Sequence, residues 1–384
     1  MKIAILSTSL SSGGAAIVTA NLAEALASRG HEVKTFVFGN NREHKPSFLA
    51  ERLEIFVRNG FRRDSLFKVS TASVGKRGIV GDVRNFRPDA IIIGWVNQGF
   101  LSLGQIHELA ALAPTAWVMH DMWNYTGACH HSLGCQSFCA ECGNCHLIAP
   151  PMRRANDMSH KMWLKKRDFY ASTPLKLVAV SAWVKEQARR SSLLRDYVVR
   201  VIHNVYPLDR YTIGEKEPGL IAFGAERLDN PIKGLDHAID ALNLLPESVG
   251  AKVVFFGGIK DASALSHLHV PYELTGPINS VQVGELLSKA QVVLNTSLYE
   301  TFGNTLLEGQ ASGAMPVSFD RGGQVDIIDH MQSGFLAPFG DVAAVARGIE
   351  WGLAGRISPE SLRAAAEARF SAEAVARQYE SLFA

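Results

Sequence analysis

The sequence predicts an α/β protein made of parallel sheets covered by helices. Short apolar runs rich in β-branched residues alternate with segments of helical length along the whole chain, which is the pattern of successive βαβ units. No uninterrupted apolar run reaches the roughly 18 residues that could span a bilayer. The apolar start ends at Ser7, far short of a signal peptide, so we expect a first strand and a cytoplasmic protein.

Nine apolar runs are predicted to be strands, five in the first half of the chain and four in the second half. They cover residues 3–6, 31–38, 90–93, 116–119, 175–180, 219–223, 252–256, 291–295 and 314–319. A last amphipathic helix is predicted over residues 372–383, with Val375, Tyr379 and Leu382 on one face.

A chain of 384 residues is long enough for two domains, each with its own core. The β-then-α pattern restarts after residues 204–214, which contain Pro207 and show no clear period, so this stretch is the predicted linker. The predicted domains are residues 1–204, with a Cys-rich insertion at 127–147, and residues 205–365, followed by a terminal segment at 366–384.

The net charge of +2 conceals an asymmetry between the two halves. Residues 1–203 contain 26 Lys and Arg against 15 Asp and Glu, whereas residues 204–384 contain 13 against 22. A basic half can attract anionic lipid, nucleic acid or a phosphorylated substrate; alternatively, the two domains attract each other through opposite charge.

The strongest local motif follows the predicted strand at 291–295. Gly303 permits a close approach of the backbone to a ligand, and the helix that opens near Asn304 and Thr305 offers N–H groups and a positive dipole end to a diphosphate. Glu300 and Glu308 can accept hydrogen bonds from sugar hydroxyls. The alternative is an ordinary helix, since helices favour acidic residues near their N-termini.

The surroundings of this motif resemble the signature of family 4 retaining glycosyltransferases, which have the GT-B fold of two facing Rossmann-like domains with an interdomain cleft. Glu300 and Glu308 stand eight positions apart, and Gly322 and Gly323 follow. Arg227 and Lys233 match the basic pair that holds the donor diphosphate in that family, although their spacing is six positions rather than five. Such a pair can offset the charge that grows on a leaving nucleoside diphosphate.

The first half adds a glycine pair and a histidine to the resemblance. Gly13 and Gly14, after the first strand, look like the family's glycine loop, although such pairs are by themselves usually only turns. His120 ends the predicted strand at 116–119 and matches the family's active-site histidine, whereas a lone histidine there is otherwise most often structural. No G-x-G-x-x-G follows any strand, which argues against a dinucleotide oxidoreductase.

The resemblance implies a reaction and a set of residues. A sugar would move from a nucleoside-diphosphate sugar to a hydroxyl of a glycan or lipid-linked acceptor, with retention and without a catalytic metal, in cell-surface polysaccharide or glycolipid synthesis. The terminal helix would cross back to the first domain. The implied catalytic residues are His120, Glu300, Arg227 and Lys233, and the implied donor-binding residues are Gly13, Gly14, Arg227, Lys233, Glu300, Phe302, Gly303, Asn304, Thr305 and Glu308. The alternatives are a sugar-nucleotide 2-epimerase and a non-catalytic sugar-nucleotide-binding protein.

All five cysteines lie between residues 129 and 145. In a cytosolic chain this concentration indicates a structural zinc site, while an iron–sulfur cluster, disulfides and free thiols remain open. His130, His131 and His146 are alternative ligands, and Cys139 is the predicted spare cysteine. A subset of family 4 enzymes carries a similar Cys-rich stretch after His-Asp-x-Trp, which favours as ligands Cys129, Cys135, Cys142 and Cys145.

Two basic stretches of the first half are interleaved with large apolar residues, at 152–167 and 56–77. This composition favours a peripheral position on the inner, anionic face of the cell membrane, with a solvated protein surface as the alternative. We expect no nucleic-acid partner because the sequence contains no nucleic-acid-binding motif.

Overall fold

Two parallel sheets organise the computed structural model, which describes residues 1–11, 13–39 and 45–384. The chain folds as two compact units: the first consists of Met1–Val205 with Ala376–Ala384, and the second of Tyr206–Val375. Each unit is an α/β layer structure, so the fold class predicted from the sequence is confirmed.

The first unit contains, among its described residues, six strands in the order β2-β1-β3-β4-β5-β6, and every neighbouring pair is parallel. The strands are β1 (Lys2–Ser7), β2 (Glu32–Val37), β3 (Ala90–Ile93), β4 (Thr115–Met119), β5 (Lys176–Ala179) and β6 (Val199–Val201). The helices are α1 (Gly14–Ser28), α2 (Pro46–Arg58), α3 (Ile79–Phe86), α4 (Leu103–Ala110), α5 (Met158–Ser172) and α6 (Ala182–Arg190). The central strands β3 and β4 are buried throughout, as strands covered on both faces must be.

The second unit also has a six-stranded parallel sheet within the described part of the chain, in the order β12-β11-β10-β7-β8-β9. Its strands are β7 (Leu220–Arg227), β8 (Lys252–Gly258), β9 (Tyr272–Gly276), β10 (Val292–Asn295), β11 (Met315–Phe319) and β12 (Phe335–Ala337). Its helices are α7 (Leu235–Asn243), α8 (Ser280–Lys289), α9 (Asn304–Ala311), α10 (Val342–Leu353) and α11 (Pro359–Phe370), and the terminal helix is α12 (Ala372–Phe383).

Side-chain caps fix where several helices begin. Asp157 accepts hydrogen bonds from the Ser159 and His160 amides at the start of α5. Ser102 and Gln105 form a reciprocal capping box at the start of α4. These contacts satisfy amides that have no partner within the helix, and each such cap stabilises its helix by about 1 kcal/mol.

Each of the nine predicted strands overlaps an observed strand, but β6, β9 and β12 were not predicted. All three lie at a sheet edge, where one side of the strand has no neighbour in the sheet. β6 and β12 have three residues each, and most of β9 is exposed. Short or exposed edge strands lack the apolar run by which a central strand is identified.

The predicted linker at 204–214 is more ordered than its sequence suggested. Leu208–Arg210 forms a 3₁₀ turn, and Tyr206 and Tyr211 are buried on either side of it. Tyr206 also forms an isolated parallel bridge with Ser371. Of the helices that the structure describes, none combines the length and the apolar character that crossing a bilayer requires.

Candidate functional site

The predicted donor residues of the second unit lie beside two adjacent strands. The strand order of this sheet reverses between β7 and β10, because β8 and β9 follow on one side and β11 and β12 on the other. Arg227 is the last residue of β7, and Glu300 lies in the turn that leads from β10 to α9. In open parallel sheets the carboxyl ends of the strands at such a reversal form the usual ligand crevice.

The turn into α9 depends on glycine. Gly303 is the N-cap of α9 and has a φ of 104°, a conformation that costs side-chain-bearing residues energy. It provides no side-chain cap, and the first turn of α9 contains no acidic residue. Asn304 and Thr305, the first two helical residues, are half-buried. The helix therefore presents its positive end without a carboxylate of its own, as an anion site requires.

Gly322 and Gly323 pack against the backbone of this turn. The Gly323 amide donates to the Glu300 carbonyl over 2.8 Å. A Cβ atom on Gly323 would lie 2.3 Å from the Thr301 carbonyl oxygen, and one on Gly322 would lie 2.6 Å from the Glu300 carbonyl oxygen. The two loops approach each other this closely only because neither glycine carries a side chain.

Both predicted diphosphate-binding cations are engaged with carboxylates. Lys233 Nζ lies 2.8 Å from Glu300 Oε2, although the two residues are far apart in sequence. Arg227 binds Asp229 through Nε at 2.9 Å and Nη2 at 2.7 Å. The Arg227 side chain remains 41% exposed. Because such partly exposed ion pairs contribute little stability, an incoming phosphate could replace the carboxylates at low cost.

Glu308 is held by two tyrosines that the sequence analysis did not identify. Tyr211 Oη donates to Glu308 Oε1 over 3.0 Å, and Tyr206 also donates to this carboxyl. Burial raises the pKa of Glu308 to about 7, against the opposing effect of the two tyrosine hydrogen bonds. Both tyrosines lie in the segment predicted to be a linker, which is why a search for motifs overlooked them.

The side chain of Phe302 is not available to a ligand. It is 1% exposed and packs against Phe370, with ring centroids 5.6 Å apart. The side chain anchors the turn in the core, so only the backbone of Phe302 could contact a donor, and its place among the donor-binding residues stays a prediction. The flanking Glu300 and Gly303 carry the polar and backbone groups that could meet a ligand.

In the first unit, the predicted residues follow strands β1 and β4 at the same edge of the sheet. Gly13 is the N-cap of α1 with a φ of 87°, and Gly14 begins that helix and is exposed. His120 follows β4 and lines a small cavity together with Thr19, Gly94 and others. Burial lowers the pKa of His120 to about 4, partly opposed by the neighbouring Asp121 carboxylate, so its imidazole is neutral at pH 7.

Next to His120, the buried carboxylate of Asp121 accepts three hydrogen bonds. Its Oδ2 accepts hydrogen bonds from Trp95 Nε1 and His130 Nδ1, each at 2.7 Å, and its Oδ1 accepts one from the Trp123 amide at 2.8 Å. Burial alone would raise the pKa of Asp121, but His130 and the other donors lower it to about 2. The other ring nitrogen of His130 lies 3.1 Å from Ser70 Oγ. The sequence analysis missed this network because Ser70 and Trp95 are distant in the chain.

The five cysteines, all of which lie in the described residues, form no disulfide. The four predicted metal ligands, Cys129, Cys135, Cys142 and Cys145, line one cavity, which Cys139 does not border. His130 is excluded as a ligand because both of its ring nitrogens are engaged with Asp121 and Ser70. Within the described residues, no three His, Cys, Asp or Glu side chains already stand close enough to hold a metal ion.

The two basic stretches predicted to form an interfacial surface differ in the exposure of their apolar side chains. In the stretch at 152–167, the side chains of Met158, Met162 and Trp163 are at most 9% exposed and Lys166 is fully buried. They belong to the buried face of α5, which corrects the interpretation of this stretch as apolar surface. The stretch at 56–77 instead leaves Phe61 and others in solvent.

Two α/β units, each built on a six-stranded parallel sheet within the described residues, have the GT-B architecture of glycosyltransferases. A family model described as "Glycosyltransferase Family 4" matches residues 12–210, and one described as "Glycosyl transferases group 1" matches residues 209–369. The first match alone covers more than half of the chain. The chain therefore belongs to glycosyltransferase family 4.

Individual relatives are distant. An exopolysaccharide phosphotransferase of Streptomyces coelicolor is 32% identical over 165 residues, which are 40% of this chain and 17% of that protein. An N-acetyl-α-D-glucosaminyl L-malate synthase of Bacillus anthracis is 26% identical over 181 residues, 45% of this chain and 47% of that protein. The matches thus span less than half the length of these relatives.

Among solved structures, Anabaena HepE in complex with UDP-glucose superposes with a TM-score of 0.63 at 15% identity. The match covers 100% of this chain and 99% of HepE. At this identity the likeness establishes the shared fold and no more.

Proposed function

We propose that this protein transfers a sugar from a nucleoside-diphosphate sugar to an acceptor hydroxyl. The observation that carries the proposal is the set of charged groups beside the β7–β10 reversal: Arg227, Lys233 and the Gly303 turn on one hand, and Glu300 with Glu308 on the other. Cations and a helix N-terminus suit a diphosphate, and carboxylates suit sugar and ribose hydroxyls.

Each residue has a distinct proposed role in this reaction. Arg227, Lys233 and the amides at the start of α9 bind the diphosphate and stabilise the charge that develops on it as the sugar departs. Glu308 accepts hydrogen bonds from the ribose. Glu300, released from Lys233, and the neutral imidazole of His120 contact hydroxyls of the transferred sugar. The two cations allow the diphosphate to leave without a catalytic metal.

We further propose that the reaction retains the anomeric configuration. In the first unit, Asp121 is the carboxylate adjacent to His120, and its oxygens already accept hydrogen bonds from Trp95, His130 and Trp123. A carboxylate held in this way is a poor nucleophile. Same-face substitution, in which the departing phosphate helps to deprotonate the acceptor hydroxyl, therefore suits these residues better than a covalent intermediate.

Relatives guide the choice of donor and acceptor to test. The solved complex of HepE holds UDP-glucose, and the Bacillus anthracis relative is an N-acetyl-α-D-glucosaminyl L-malate synthase by name, so we propose a UDP-sugar donor as the first candidate. The relative named for exopolysaccharide favours a cell-surface glycan or its lipid-linked precursor as the acceptor class.

Binding and product analysis test the proposal. Calorimetry with UDP, GDP and their sugar conjugates should identify a nucleotide that binds the wild type. Arg227→Ala should lower the affinity for this nucleotide about 10- to 100-fold, because it removes a charge-assisted contact. Lys252→Ala is the matched control. Lys252 pairs with Glu217 at the start of β8, so it lies at the amino-terminal ends of the strands, opposite the proposed site. Equal losses in both variants would place the nucleotide elsewhere.

The products distinguish glycosyl transfer from transfer of a sugar phosphate, the chemistry suggested by the name of the Streptomyces relative. Glycosyl transfer breaks the bond between the anomeric carbon and the diphosphate and releases a nucleoside diphosphate. Sugar-phosphate transfer breaks the diphosphate itself and releases a nucleoside monophosphate. Release of the monophosphate, or epimerised donor without a new glycoside, would overturn the proposed function.

We also propose that helix α2 docks the protein on an anionic membrane surface. Leu49, Leu53 and Val57, spaced four residues apart, form an apolar stripe along α2 and are 53%, 62% and 45% exposed. The exposed rings of Phe61 and Phe67 lie in the segment that follows. Exposed basic residues occur in the same segment, namely Arg62, Arg63 and Lys68. Apolar side chains beside basic ones match the chemistry of an anionic interface.

Sedimentation with vesicles tests this docking surface. The wild type should pellet with phosphatidylcholine vesicles that contain phosphatidylglycerol, at low salt, and not with phosphatidylcholine alone. Leu49→Ser with Leu53→Ser should remain in the supernatant. Val281→Ser, which removes a 68%-exposed apolar side chain from α8 in the second unit, is the control and should still pellet. Failure of the wild type to pellet would favour a soluble acceptor.

A further inference from the structure

The cysteine cavity of the first unit has features of a metal site that are independent of the sugar-transfer residues. Cys129, Cys135, Cys142 and Cys145 contribute to the wall of one cavity of about 20 Å³. Such a volume accommodates an object the size of a single water or ion. Four cysteines around one small cavity match the ligand set of a closed zinc site.

The sulfur atoms of this cavity receive hydrogen bonds from the surrounding protein. The Gly127 amide donates to Cys142 Sγ over 3.1 Å. The Leu147 amide donates to the sulfur of Cys145. Donors directed at sulfur stabilise a thiolate more than a thiol, and they commonly surround metal-bound thiolates in proteins.

A buried cation lies beside the same cavity. Lys166, on α5, is fully buried, and its ammonium group donates to the carbonyls of Trp123 and Thr126. It interacts electrostatically with Cys129, Cys142 and Asp121, and within the described ranges no carboxylate lies close enough to form a salt bridge with it. A buried ammonium without a paired anion is costly. Four thiolates around a divalent ion carry a net charge of −2, which would add a nearby negative charge to stabilise this ammonium group.

The loop of cysteines is already fastened to the helix that carries Lys166. Asp157, the N-cap of α5, accepts the Cys145 amide on its second oxygen over 2.8 Å. Gly127 and Gly143 pack so tightly that added Cβ atoms would lie 2.4 Å from the Ser159 carbonyl oxygen and 2.3 Å from the Ala155 carbonyl oxygen. These contacts hold the cysteine loop against the start of α5.

We infer that Cys129, Cys135, Cys142 and Cys145 bind one structural zinc ion and that Lys166 is the buried counter-charge of the resulting tetrathiolate. Zinc binding releases the thiol protons to solvent and forms four Zn–S bonds, so no oxidant or reductant is required. The zinc fixes the loop at 127–147 and takes no part in the chemistry of sugar transfer.

Elemental analysis and cobalt substitution of the full chain test this inference. Protein purified without chelator should contain about one zinc per chain. Cobalt introduced in its place should show the thiolate-to-metal charge-transfer band and visible bands of a tetrahedral thiolate site. Cys142→Ser with Cys145→Ser should abolish both signals, whereas Cys139→Ser, whose thiol lies outside the cavity, should retain them.

The role of Lys166 has its own test. Lys166→Met should lose zinc to a competing chelator about 10- to 100-fold more readily than the wild type, the range typical of residues that support metal ligands, and Lys166→Arg should restore retention in part. If the variants fail to fold, the wild type tests the zinc site: chelation should lower the temperature of thermal unfolding, and re-addition of zinc should restore it. Metal-free wild type with no cobalt spectrum, or iron bound in place of zinc, would overturn the inference, and neither outcome depends on nucleotide binding.

Discussion

The two units differ in the burial of the charged side chains at their candidate sites. In the first unit, Asp121, which follows His120, and Lys166 are buried, and their polar atoms are held by several partners. Beside β7 and β10 in the second unit, Arg227 and Lys233 are partly exposed and each pairs with a carboxylate. Buried networks fix a geometry, because breaking one contact leaves a desolvated group without a partner. Partly exposed pairs are exchangeable, and exchange is what a ligand site needs.

The largest effect should come from breaking the buried network. Asp121→Ala leaves His130 and the Trp95 indole N–H without their shared acceptor, and we expect the free energy of unfolding of the first unit to fall by about 3–5 kcal/mol. Tryptophan fluorescence during urea unfolding measures this directly, since five of the six tryptophans lie in the first unit.

The matched change in the second unit is Asp229→Ala, which removes the carboxylate bound to Arg227. We expect thermal unfolding, followed by circular dichroism, to be almost unchanged, because the pair is exposed to solvent and salt. If Asp229→Ala proved as destabilising as Asp121→Ala, the contrast between a fixed and an exchangeable set of charges would be wrong.

A second prediction separates catalysis from donor binding. His120→Ala should lower turnover about 100-fold or more, as expected for a group that acts on the reacting sugar, while leaving the affinity for the free nucleoside diphosphate unchanged. Single-turnover kinetics and calorimetry measure the two quantities. Parallel losses in both would mean that His120 supports the nucleotide site, and that the proposed division of roles between the units fails.

A more modest effect is expected in the pH dependence of stability, through Glu308. Its pKa in the folded protein, about 7, is raised by burial above the ordinary value of 4.5, so the folded state binds the proton more tightly. The stabilisation from this group is fully present below about pH 4.5 and is lost as the pH rises through 7.

Glu308→Gln cannot ionise and should remove this pH dependence. The variant should therefore gain stability relative to the wild type as the pH rises from 5 to 8, a trend visible in thermal unfolding at a series of pH values. Tyr211→Phe, which removes the hydroxyl that donates to the ionised carboxylate, should shift the trend to higher pH. Parallel curves for the wild type and Glu308→Gln would show that this carboxyl titrates normally.

The sequence by itself determined the parallel α/β class and the turn at Glu300–Gly303, because each depends on residues that are contiguous in the chain. A buried parallel strand is a continuous apolar run, and a glycine-dependent turn before a helix keeps its meaning wherever it occurs. The concentration of cysteines between residues 129 and 145 was equally visible. Local patterns of this kind report how each segment relates to its own element.

Only the tertiary structure decided which distant groups meet. It paired Lys233 with Glu300, brought Tyr211 to Glu308 from a segment that looked like a linker, and buried Lys166 within a stretch that looked like a basic surface. Periodicity shows that a residue faces inward, but the partner it meets there depends on how the elements pack. A lysine has the same appearance in the sequence whether its ammonium group lies in water or beside a cluster of thiols.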